Sequence, residues 1–107
     1  MKERYEDLIA AAKEAMEKAY APYSNFKVGT ALRTSSGRIF TGCNVENASY
    51  GATVCAERTA VVKAISEGEH DFEAIAVVSS SGRITPPCGL CRQVLAEFSE
   101  DMAVVLA

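Results

Sequence analysis

Cys55-Ala56-Glu57-Arg58-Thr59-Ala60, answered further on by Pro87-Cys88-Gly89-Leu90-Cys91-Arg92-Gln93, is the pair of stretches that decides how this chain is read. Both fall where the hydrophobic pattern passes from loop to helix. The peptide N–H groups of a helix's first turn are unpaired and carry partial positive charge, which favours a thiolate over a thiol. Two such helix starts converging would hold Cys55, Cys88 and Cys91 around one Zn²⁺ and leave a tetrahedral position open for water. Glu57, two residues beyond the first sulfur, is placed to handle protons without binding the metal. Three thiolates leave the site net negative. Arg58 and Gln93 could offset this by hydrogen-bonding to sulfur. The set suggests hydrolytic chemistry.

Each part has a plainer reading. Cys88 and Cys91 alone would suit a redox dithiol or two buried cysteines, and it is the added Cys55-Ala56-Glu57 that favours metal. A structural zinc has no use for a carboxylate beside an open position. Cys43 reads as a small core side chain outside the site, and His70, the only histidine, as a surface residue.

Outward from these motifs, Tyr5, Leu8, Ile9, Ala12, Met16, Ala19 and Tyr20 recur at helical spacing, with a stop before Pro22. Residues 27–34 and 38–43 read as strands joined at Ser35-Ser36-Gly37, and 44–53 as a loop. A second helix is expected over 55–67 with Gly68 as its stop, and a third over 88–98. Residues 74–79 read as a strand buried on both faces and 102–107 as a last apolar strand. Right-handed crossovers then predict an α/β fold of three layers, helices covering a mixed sheet.

The chain has 107 residues, enough for a single domain, here 1–107, with one core. Its net charge is −3, and without a basic stripe a nucleic-acid partner is not expected. No apolar run approaches the ~20 residues of a membrane span. The charged N-terminus does not resemble a secretion signal, so a reduced, cytoplasmic location is expected.

Four blocks resemble the small, homotetrameric, three-cysteine cytidine deaminases. They are Ala21-Pro22-Tyr23-Ser24-Asn25-Phe26-Lys27-Val28-Gly29, Gly42-Cys43-Asn44-Val45-Glu46-Asn47-Ala48-Ser49-Tyr50, Cys55 to Ala60, and Pro87 to Gln93. The last two fit the zinc-deaminase signature of a Cys or His, a Glu two residues on, and P-C-x-x-C. The resemblance implies one Zn²⁺ on Cys55, Cys88 and Cys91, and Glu57 as proton shuttle. It further implies Asn44 and Glu46 on the ribose 3′-hydroxyl, Phe26 on the pyrimidine, Tyr50 in the pocket and the Ala56 backbone on the base. The implied reaction is hydrolytic loss of ammonia from cytidine or deoxycytidine in pyrimidine salvage. Chains of that family normally continue past the equivalent of Ala107, so the expectation is a C-terminally short domain that binds zinc but deaminates poorly unless its edge is completed. Related readings are a blasticidin-type deaminase and a non-catalytic zinc-stabilised domain.

Overall fold

Among the described residues, four strands form one mixed sheet with a helix on each face. The computed structural model describes residues 5–48, 54–80 and 103–106. Its elements are α1 (Glu6–Met16), β1 (Val28–Thr34), β2 (Ile39–Cys43), α2 (Ala56–Ser66), β3 (Phe72–Ser79) and β4 (Ala103–Leu106). β1 pairs antiparallel with β2 and with β3, and β3 pairs parallel with β4. The expected crossover and third helix lie outside the described residues.

β3 takes an inner position because nearly every residue from Phe72 to Ser79 is buried; only Glu73 is exposed. Strand alternation sends Ala31, Ala74, Ala76 and Val78 to one face, where they meet Leu8 and Ala12 of α1. Leu32 and Ile75 point to the other face and pack with Phe40, Phe72 and Ala60, Val61 and Ala64 of α2. Fully burying a side chain such as Leu8, Leu32 or Ile75 contributes about 1.5–3 kcal/mol.

Both helices approach the sheet through a glycine. A Cβ at Gly29 would stand 2.0 Å from the Ala12 carbonyl oxygen of α1. At Gly42 it would stand 2.4 Å from the Ala56 carbonyl oxygen and 2.6 Å from the Ala60 nitrogen of α2. Any side chain at either position would push its helix off the sheet.

The first helix ends earlier than its periodicity predicts, at Met16 rather than near Tyr20. The chain tightens through Lys18 N–H to Ala15 O and Ala19 N–H to Met16 O, then Tyr20 pairs with the loop after β2. Its N–H donates to Asn44 O at 3.0 Å, and its carbonyl accepts the Glu46 N–H at 2.8 Å. Long-range pairing outcompetes one more helical turn. The other elements among the described residues fall within two residues of expectation. His70 is exposed, and Cys43 is half-buried at the end of β2.

Candidate active site at the start of the second helix

Val28 opens β1, while Cys43, Ser79 and Leu106 close β2, β3 and β4, so all four lie at one end of the sheet. The N-terminus of α2 comes to the same end. Cys55 is its N-cap residue, with extended backbone (φ −71°, ψ 153°), and is half-buried. A thiol there lies in the field of the unpaired N–H groups that follow it. Thr59 holds the turn in place. Its hydroxyl lies 3.1 Å from the Cys43 carbonyl oxygen and 3.2 Å from that of Cys55, tying the end of β2 to the cap of α2.

Ala56 is 1 % exposed and clusters with Val28 and Val77; Phe26 packs against that cluster. Glu57 is 6 % exposed, an unusual depth for a carboxylate in a helix's first turn. Burial pushes its carboxyl above the usual glutamate range, opposed in part by its own backbone N–H and by the charge of Arg58.

Asn44 and Glu46 face the segment that leads into β1. Asn44 is buried; its Oδ1 accepts the Val28 N–H at 2.9 Å and its Nδ2 donates to the Phe26 carbonyl at 2.8 Å. One amide N–H and one lone pair remain for another partner. Glu46 Oε1 accepts the N–H groups of Tyr23 at 2.9 Å and Ser24 at 3.1 Å, and Oε2 accepts the Ser24 hydroxyl. These bonds, the Ser24 hydroxyl first among them, hold the Glu46 carboxyl below its ordinary value.

Cys55, Ala56, Glu57, Phe26, Asn44 and Glu46 are thus placed at one end of the molecule by β1, β2 and α2. Tyr50, Cys88, Cys91 and Gln93 lie outside the described residues. Among the described residues no group of three or more His, Cys, Asp or Glu could hold a metal ion, and two of the three expected thiolates belong to residues 81–102. The one expected ligand within the described residues fits the role, because a half-buried thiol at a helix N-cap is placed to ionise. Sequence reasoning assigned no role to Ser24 or Thr59. For Ser24 the available signal was a hydroxyl two residues before Phe26 in a turn-forming stretch.

Residues 2–107 match the family model described as the cytidine and deoxycytidylate deaminase zinc-binding region. A cytidine deaminase of Halalkalibacterium halodurans is 59% identical over 91 residues, which cover 85% of this chain and 69% of that protein. A crystal structure of cytidine deaminase from Burkholderia pseudomallei superposes with a TM-score of 0.91 at 56% identity, covering 96% of this chain and 84% of that one. A Blasticidin-S deaminase of Bacillus cereus is more distant, 32% identical over 108 residues, with 94% and 76% coverage. The chain belongs to the cytidine and deoxycytidylate deaminase family, and its three-layer mixed-sheet architecture is the family's fold.

Proposed function

We propose that this enzyme hydrolyses cytidine and deoxycytidine to uridine and deoxyuridine with release of ammonia, using one Zn²⁺ per chain. The observation that carries the reading is a carboxylate buried in the first turn of α2, two residues after a capping cysteine. It is supported by the family match along the chain and by relatives above 50% identity that carry the cytidine deaminase name. The greater identity to those relatives than to the Blasticidin-S deaminase favours cytidine as substrate.

Cys55, Cys88 and Cys91 would hold the zinc, which when bound supplies a Lewis acid that eases loss of a proton from water. Arg58 and Gln93 would moderate the charge on the sulfurs. Glu57 takes the proton given up by the attacking water and passes it to the departing amino group. Its desolvated setting suits a group that must change protonation state in every cycle. Phe26 offers an aromatic face to the pyrimidine, and the Ala56 backbone a hydrogen bond to it. Asn44 and Glu46 take the sugar hydroxyl with the bonding capacity that the Tyr20–Val28 segment leaves them, and Tyr50 closes the pocket.

Three finer statements go with this reading. Thiolate ligands are kept reduced most readily in a reducing compartment, which supports a cytoplasmic location. The product suits pyrimidine salvage. The resemblance to three-cysteine deaminases supports a homotetramer as the assembly. The test is to incubate purified protein with cytidine and with deoxycytidine, follow the ultraviolet change on deamination, and measure zinc on the same sample. Turnover with stoichiometric zinc is expected; stoichiometric zinc with neither nucleoside consumed would defeat the reading.

A further inference from the structure

Ser24 stands between two residues given substrate roles above. Its hydroxyl accepts the Phe26 N–H at 3.1 Å and donates to Glu46 Oε2, while its own N–H donates to Glu46 Oε1 at 3.1 Å. One short side chain therefore joins the backbone of Phe26 to the carboxylate of Glu46. Asn44 completes the arrangement by donating to the Phe26 carbonyl, so both backbone polar groups of Phe26 are tied to side chains. Asn25, between Ser24 and Phe26, has φ 59°, the left-handed conformation that asparagine tolerates better than most residues. No regular element spans residues 24–26, so these side-chain ties, with the Asn25 N–H donating to Ala21 O at 3.0 Å, fix the shape of the segment.

A hydroxyl that accepts on one side and donates on the other strengthens both bonds, and the bond to a carboxylate is charge-assisted. Three donors occupy the Glu46 carboxylate, which offers about four acceptor directions. The direction left over is consequently set by Ser24 and Tyr23.

We propose that Ser24 is a positioning residue that fixes the Phe26 ring and the remaining acceptor direction of Glu46 relative to each other, so that base and sugar of the nucleoside are recognised in one pose. This rests on the reading of Phe26 and Glu46 as substrate contacts. Glu57 and Cys55 sit on a different element, so loss of Ser24 weakens binding more than chemistry.

The experiment measures kcat and KM for cytidine with the zinc-loaded full chain as Ser24→Ala, Ser24→Thr, Glu46→Ala and the Ser24→Ala/Glu46→Ala double variant, with a melting temperature for each. Ser24→Ala is expected to raise KM roughly tenfold with kcat changed by less than about twofold, as for lost binding alone. Ser24→Thr keeps the hydroxyl and returns KM to near the wild-type value. In the Glu46→Ala background, Ser24→Ala raises KM by less than about threefold, the mark of two residues acting together. If Glu46→Ala raises KM and Ser24→Ala leaves it unchanged, Ser24 has no positioning role and the Glu46 reading stands. If Glu46→Ala itself leaves KM unchanged, the reading beneath the proposal fails and the proposal with it. Full additivity in the double variant, or a fall in kcat at constant KM for Ser24→Ala, also overturns it.

Discussion

α1 and α2 are each 11 residues long, and each lies over a sheet glycine that leaves no room for a Cβ. What differs is the first turn. α1 exposes Glu6 and Asp7 there, complementing the positive end of the helix in water, and buries Leu8, Ala12 and Ala15. α2 opens on a half-buried thiol and buries Glu57 with Ala56, Ala60, Val61 and Ala64. One docking device thus serves a scaffold helix on one face and, on the other, the helix proposed to carry the chemistry. Close packing is common to both, so it does not mark function. The ionisable group taken out of water does.

The largest expected effect concerns that group. Glu57→Gln should keep the shape and the zinc but remove the proposed proton carrier, lowering kcat by about 10²–10⁴-fold, measured by the ultraviolet assay with zinc content as control. Unchanged turnover would remove Glu57 from the mechanism. Next come the two glycines. Gly29→Ala and Gly42→Ala should each destabilise the fold by about 1–3 kcal/mol or more in denaturant melts, since backbone lies within the path of the new methyl. Only Gly42→Ala should also reduce zinc content per folded chain, because it displaces Ala56 beside Cys55; equal zinc loss in both would erase the distinction between the helices.

Thr30 sharpens the comparison from the sheet side. It is fully buried on the α2 face, and its hydroxyl has no hydrogen-bond partner. Thr30→Val keeps the shape and removes the unmet group, so stability should rise by about 1 kcal/mol in a urea melt.

The smallest effect is on the α1 side. Asp7 accepts a hydrogen bond from Arg33 Nη2 at 2.6 Å, which with the nearby guanidinium charge holds its carboxyl below the usual aspartate value. A depressed folded value means that the contribution is complete above the ordinary value of about 4 and disappears as pH falls through the folded one. Wild type should therefore exceed Asp7→Asn in stability by a small margin at neutral pH and converge with it in acid. A margin that persists in strong acid would assign it to something other than this ion pair.

The elements that recur locally were legible in the sequence. The spacing of Leu8, Ile9, Ala12 and Met16, the hairpin at Ser35-Ser36-Gly37, and the start of α2 after Cys55 all follow from patterns a few residues long. The placement of Cys55 and Glu57 at the start of α2 was legible as well, because the loop-to-helix pattern carries it, while the chemistry proposed for them rests on residue type and spacing. The end of α1 was not, because Tyr20 is claimed by Asn44 and Glu46, far along the chain. For the same reason Asn44 and Glu46 stood out as polar loop residues while their grip on Tyr23, Ser24, Phe26 and Val28 stayed hidden. Gly29 and Gly42 fall within the expected strands, and nothing local reveals a helix about to press on them.

Zinc content across two cysteine variants tests the central claim most directly. Cys43 and Cys55 both lie near the Thr59 hydroxyl, yet only Cys55 caps α2. Cys43→Ser should retain one zinc per folded chain and Cys55→Ser should lose it. Full zinc occupancy in Cys55→Ser, or its loss in Cys43→Ser alone, would contradict a metal site at the start of α2.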